Sequence, residues 1–147
     1  MTALVVAMML MLAPGRDHAA LAGAIARVVE SERPLFADDE GRRKTAALMV
    51  AVAYRESTFT TAAVGDHGRS FCAFQIHRTA GGTPALLTDP EGCARQALTI
   101  LRESLRACPS HPVATYAAGP GACVNARARR ISDDRMQLAA WIARKVR

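Results

Sequence analysis

Apolar positions along the chain fall into stripes of helical spacing, and one run stands apart. Residues 46–54 read AALMVAVAY, nine positions without a charge, and lead into Arg55-Glu56-Ser57. A helix that is apolar on every side is a buried one. The run therefore predicts a central helix that delivers the Glu56 carboxyl to the edge of the core. Upstream, Leu21, Ile25, Val28 and Val29 form the apolar face of another helix, with Arg27 and Glu30 opposite, Asp17 as its N-cap and Pro34 past its end. Residues 37–44, ADDEGRRK, make a charged connector, after which Thr45 or a neighbour opens the central helix. Residues 58–70, rich in Thr, Gly and Ser, read as loop with room for a short hairpin, and residues 71–76 as a short strand or a helical turn.

Farther on, Asp89-Pro90 is an N-cap followed by proline at the first helical position. Behind it, Ala94, Ala97, Leu98, Leu101 and Leu105 share one face and Arg95, Arg102 and Arg106 the other, until Cys108-Pro109 ends the helix. Residues 112–118 predict a short helix stopped by Gly119-Pro120-Gly121. A last helix is expected from Ser132, with Asp133 and Asp134 in its first turn and Arg144, Lys145 and Arg147 in its last, matching the helix dipole. Met136, Ala139, Ala140 and Val146 are expected to face inward, and Trp141 to cap the core edge or line a cleft. No internal repeat or linker divides the chain. The expectation is one mainly α domain over residues 1–147, built on a buried central helix, with at most a small β-hairpin.

Composition supports this class. Half of the 147 residues are hydrophobic and 22% charged, which argues against disorder, and aromatics are only 5%. The net charge of +6 is uneven: residues 1–100 carry ten basic and ten acidic side chains, residues 101–147 nine and three. A cationic C-terminal third suits a polyanionic target such as bacterial cell wall, or serves as a solvated face. The basic residues are not interleaved with aromatics, which argues against nucleic acid as a partner. Residues 3–13, ALVVAMMLMLA, are too short to span a membrane, so no stable membrane insertion is expected. They read either as a degenerate export signal, with no preceding Lys or Arg, or as the first helix of the fold.

Cysteines stand at 72, 93, 108 and 123, with no Cys-x-x-Cys pair and no histidine at zinc-ligand spacing. No metal or other cofactor is expected. Two disulfides and an oxidising compartment are one reading, four free thiols the other. Of the three pairings, Cys72–Cys93 with Cys108–Cys123 is favoured, each tying a loop to an adjacent helix.

Chemistry concentrates in three blocks: Glu56-Ser57 with Phe59; Gly65-Asp66-x-Gly68-x-x-Phe71-x-x-x-Gln75-Ile76; and Tyr116-Ala117-Ala118-Gly119-Pro120-Gly121. In this order, over residues 45–145, they resemble the lysozyme superfamily branch of goose-type lysozymes and soluble lytic transglycosylase domains. That resemblance implies a lysozyme-like fold and a monomeric, periplasmic or secreted muramidase. Such an enzyme cuts the β-1,4 bond between N-acetylmuramic acid and N-acetylglucosamine in peptidoglycan glycan strands. It implies Glu56 as general acid and Ser57, Gln75, Ile76, His77, Tyr116 and Gly119 as substrate-binding positions.

Asp66 is the one candidate nearby for the second carboxylate that glycoside cleavage often uses. It either orients a water, giving hydrolysis, or is a turn residue bonding its own backbone. In the latter case the substrate's own groups complete a lytic reaction. The sequence departs from the family pattern at Ala117, where an asparagine is usual, at His77, which replaces an acid, and at Cys72-Ala73, which replace Gly-Leu. Those departures leave room for a rival: a non-catalytic, cationic wall-binding module on the same fold.

Overall fold

The computed structural model describes residues 1–146. Six helices follow in order: α1 (Thr2–Leu12), α2 (Ala19–Ser31), α3 (Gly41–Ser57), α4 (Pro90–Ala107), α5 (Ala114–Ala118) and α6 (Ala126–Lys145). Between α3 and α4 lie three two-residue strands, β1 (Val64–Gly65), β2 (Ser70–Phe71) and β3 (Ile76–His77), paired antiparallel in the order β1-β2-β3. The domain is mainly α with a small β element, as the pattern predicted.

The central helix is α3. Every residue from 45 to 53 is buried and Tyr54 is half-buried, so the uncharged run has almost no solvent face. It packs most extensively on α6 and also touches α1, α2 and α4. α3 starts four residues before Thr45, because the charges in its first turn find partners: Arg42 donates to Glu30 O, Arg43 to Ala143 O and Lys44 to Asp38. Thr45 is interior instead: its hydroxyl donates to Gly41 O at 2.7 Å and accepts from Leu35 N at 2.9 Å. Left-handed backbone at Thr58 (φ 51°) and Phe59 (φ 66°) ends the helix. Phe59 then folds back onto His18 and Tyr54, ring centroids 5.1 and 5.5 Å away.

α1 packs against α2 and α3 through Val5, Met8 and Met9. Asp17 accepts from Ala19 N at 2.9 Å at the start of α2, and Asp89 from Gly92 N at 2.8 Å at the start of α4. Among the described residues no helix is long and apolar enough to cross a membrane.

The cysteines form two disulfides, Cys72–Cys93 and Cys108–Cys123. The first joins the turn after β2 to the first turn of α4. The second closes a loop that holds α5. α5 itself is five residues long, far too short to persist alone. Two fully buried hydroxyls fasten it: Ser132 Oγ of α6 accepts from Val113 N at 2.9 Å, and Ser104 Oγ of α4 from Tyr116 N at 3.1 Å.

α6 departs most from expectation. It begins at Ala126, capped by Asn125, whose side chain accepts from Ala128 N at 3.0 Å. Asp133 and Asp134 are therefore mid-helix and take specific partners: His111 at 2.9 Å and Arg55 at 2.7 Å. The buried face also differs from the expected one. The buried positions are Ala128, Ser132, Ala139, Ile142 and Ala143; Met136 and Val146 are half-buried, and Ala140 is exposed. Trp141 is 37% exposed and lies away from the cleft. Arg144 and Lys145 occupy the last turn as expected, and Arg147 lies outside the described residues.

Candidate active site

A cleft of about 620 Å³ opens between the β region and α5. Its walls carry residues from all three sequence blocks: Glu56 from α3, Asp66, Gln75 and His77 from the β region, and Tyr116 and Gly119 from α5 and its end. Six of the eight residues expected in a site therefore meet. Ser57 and Ile76 do not line it. Ser57 Oγ donates to Ala73 O at 2.8 Å and accepts from Thr60 N at 3.0 Å, tying the end of α3 to the β region. Ile76 is a core residue.

Glu56 is 20% exposed and has one partner that the sequence reading missed. Arg135 of α6, 11% exposed, donates from Nη2 to Glu56 Oε1 at 2.6 Å. The apolar surroundings expected for this carboxyl are replaced on one side by an ion pair. Arg55, its chain neighbour, goes to Asp134 instead. A signal for Arg135 exists in the sequence: Ala128, Ser132, Arg135, Ala139 and Ile142 step by four and three along one helix face. An arginine on an inward stripe needs a partner, because unpaired buried charge is costly. A helix started at Ser132 leaves only Ala128 out of that stripe.

The β region is shaped by backbone that side chains rarely adopt. All six non-glycine residues with positive φ among the described residues lie between 58 and 75: Thr58, Phe59, Asp66, His67, Cys72 and Gln75. Such positions cost on the order of 1–3 kcal/mol each when the surroundings must enforce them, and they cluster at functional sites. Here the enforcing contacts are visible. Ser70 Oγ donates to Asp66 Oδ2, holding the turn between β1 and β2. Gln75 Nε2 donates to Cys72 O at 3.0 Å, and the disulfide anchors Cys72. Gly65 faces Gln75 so closely that any Cβ there would collide with the amide oxygen. Asp66 thus serves its turn while lining the cleft. His77 Nδ1 meets Thr79 Oγ1 at 2.8 Å and accepts from Thr79 N at 3.3 Å, so its ring is oriented locally.

On the opposite wall, Tyr116 Oη donates to Phe74 O at 2.6 Å, a bond that bridges α5 to the β region. Burial pushes the Tyr116 phenol well above its ordinary value of 10.0. The charge of Glu56 pushes in the same direction and Arg135 in the other. Tyr116, Glu56 and Arg135 therefore form one electrostatic cluster beside the cleft. The remaining lining residues are Gly65, Ala117 and Ala118, which belong to the quoted blocks, and Ser70, Thr79, Ala80, Ile100 and Thr115, which sequence reasoning did not single out. Among the described residues no group of His, Cys, Asp and Glu is arranged to hold a metal ion. A second cavity, of about 350 Å³, lies between α3 and α6 and has a mostly apolar lining.

Compared with protein-family models, with curated proteins and with solved structures, the chain matches none of them.

Proposed function

We propose that this protein is a peptidoglycan-cleaving muramidase with Glu56 as its single general acid. One observation carries the reading: the three sequence blocks on which the resemblance to goose-type lysozymes and lytic transglycosylases rests line one cleft. In that cleft Glu56 protonates the leaving oxygen of the β-1,4 bond, an effect worth about 10²–10⁴ in rate. Gln75, Tyr116 and the backbone around Gly119 line the sugar-binding wall. The left-handed glycine at 119 (φ 72°, ψ −165°) lets the chain pass the cleft edge without a side chain.

Asp66, bonded to Ser70, is an auxiliary whose second oxygen is available to a water or a sugar hydroxyl. The two disulfides support a site of action in an oxidising compartment: periplasmic, secreted, or delivered to the wall by a phage. Arg106, Arg127, Arg129, Arg130, Arg144 and Lys145 form no ion pair among the described residues and are exposed. They supply the attraction to an anionic wall.

The second reading, a non-catalytic wall-binding module, is favoured by Ala117 and by the ion pair that occupies one oxygen of Glu56. Glu56→Gln separates the two. An enzyme loses turnover and keeps its binding to purified wall; a module, without turnover in either form, binds unchanged.

A further inference from the structure

The Glu56–Arg135 pair is built asymmetrically. A guanidinium set to maximise its bond to a carboxylate does so with two parallel N–H donors, one to each oxygen. Arg135 instead gives Nη2 alone to Oε1. Its Nη1 donates to Ile131 O at 3.3 Å, and its Nε is buried without a partner among the described residues. Glu56 Oε2 makes no hydrogen bond to the described residues and is not buried, so it is the oxygen open to the cleft. A partner that occupied both oxygens would leave nothing to reach the substrate.

Resting on the muramidase reading, we propose that Arg135 is the positioning residue of the acid: by occupying Oε1 it directs the transferable proton to Oε2. An oxygen that accepts from a guanidinium is a poor site for the proton, so the protonated side chain carries it on the other one. The step balances within the substrate and this side chain. The proton on Oε2 passes to the glycosidic oxygen, the bond from that oxygen to the anomeric carbon breaks, and the bonding pair leaves with the oxygen. Glu56 remains as a carboxylate against the Arg135 charge. Water or a sugar hydroxyl then adds to the anomeric carbon and gives its proton back to Oε2. Arg135 touches neither reacting atom.

The charged and titratable groups around the pair are Tyr116 from α5, Asp66 and His77 across the cleft, and the Arg55–Asp134 bridge beside it.

Three substitutions separate charge from hydrogen bonding: Arg135→Lys keeps a charged donor, Arg135→Gln a neutral donor, Arg135→Met neither. Rates on purified peptidoglycan are measured across pH, with folding checked by circular dichroism. The expected kcat order is wild type, Lys, Gln, Met, with the last about 10–100-fold down and KM little changed. Lys, which keeps a charged donor on Oε1, restores most of the kcat that Gln and Met lose, a rescue that a merely structural role would not give. The Gln variant carries the comparison if Met does not fold. Folded variants within about twofold of wild type in kcat overturn the role of Arg135 and leave the muramidase intact. A wild type that cuts nothing at any pH overturns the muramidase and this role with it.

Discussion

Removing one oxygen atom, in Tyr116→Phe, tests whether a single bond ties α5 to the β region across the cleft. The Tyr116 hydroxyl donates to Phe74 O at 2.6 Å, and Phe74 is fully buried. Phenylalanine fills the same space but leaves that carbonyl without its donor. An unsatisfied buried acceptor costs about 1–3 kcal/mol. For a chain of 147 residues this lowers the melting temperature by roughly 3–10 °C. The sign of the pH dependence adds a second signature. Tyr116 keeps its proton in the folded state to well above 10.0, because burial and then the charge of Glu56 oppose phenolate formation. The unfolded chain releases that proton near 10.0, so the folded state holds more protons above it and its stability falls as pH rises. Tyr116→Phe lacks this loss. Urea unfolding of both proteins from neutral to strongly alkaline pH should show a wild-type advantage at pH 7 that narrows above pH 10. No advantage at neutral pH, or one that does not change with pH, refutes the reasoning.

The supports of α5 make a related prediction. Ser132→Ala and Ser104→Ala each strip the partner from a backbone N–H, of Val113 and of Tyr116, and each should cost about 1–3 kcal/mol in urea unfolding. Amide exchange should quicken first in residues 113–118. Replacing Cys108 and Cys123 together by alanine should cost about 3 kcal/mol for a loop of this length, read from the denaturant midpoint; no loss would mean the loop is already fixed without the bond. Wall binding should weaken as salt rises from about 0.05 to 0.5 M, because the free arginines of α6 act through screened charge. Co-sedimentation with purified wall measures it, and salt-insensitive binding would argue against them.

Much of this arrangement is legible in the residues. The buried central helix follows from nine uncharged positions, and α4 from Asp89-Pro90 and one apolar stripe. The cysteine spacing gave a favoured pairing that matches both bonds. What escaped notice depends on contacts far apart in the chain. Glu56 and Arg135 are 79 residues apart, and no local pattern couples them. The start of α6 was missed because residues 126–130, ARARR, look like a charged loop, although their alternating alanines include the buried Ala128. Ser57 and Ile76 belong to the resemblance but fall on the structural side of it. A short motif does not say which of two adjacent residues faces the cleft and which faces the core. The left-handed turns at Asp66, Cys72 and Gln75 were also invisible, since none is glycine; Asp66 and Gln75 are held by nearby partners and Cys72 by its bond to Cys93.

The central claim is that the cleft around Glu56 cuts glycan strands. Purified peptidoglycan incubated with the oxidised, folded protein and analysed by mass spectrometry addresses it most directly. The account predicts muropeptides released by wild type and not by Glu56→Gln, ending either in a reducing muramic acid or in its anhydro form, one water lighter. Intact glycan strands after incubation with wild type would contradict it.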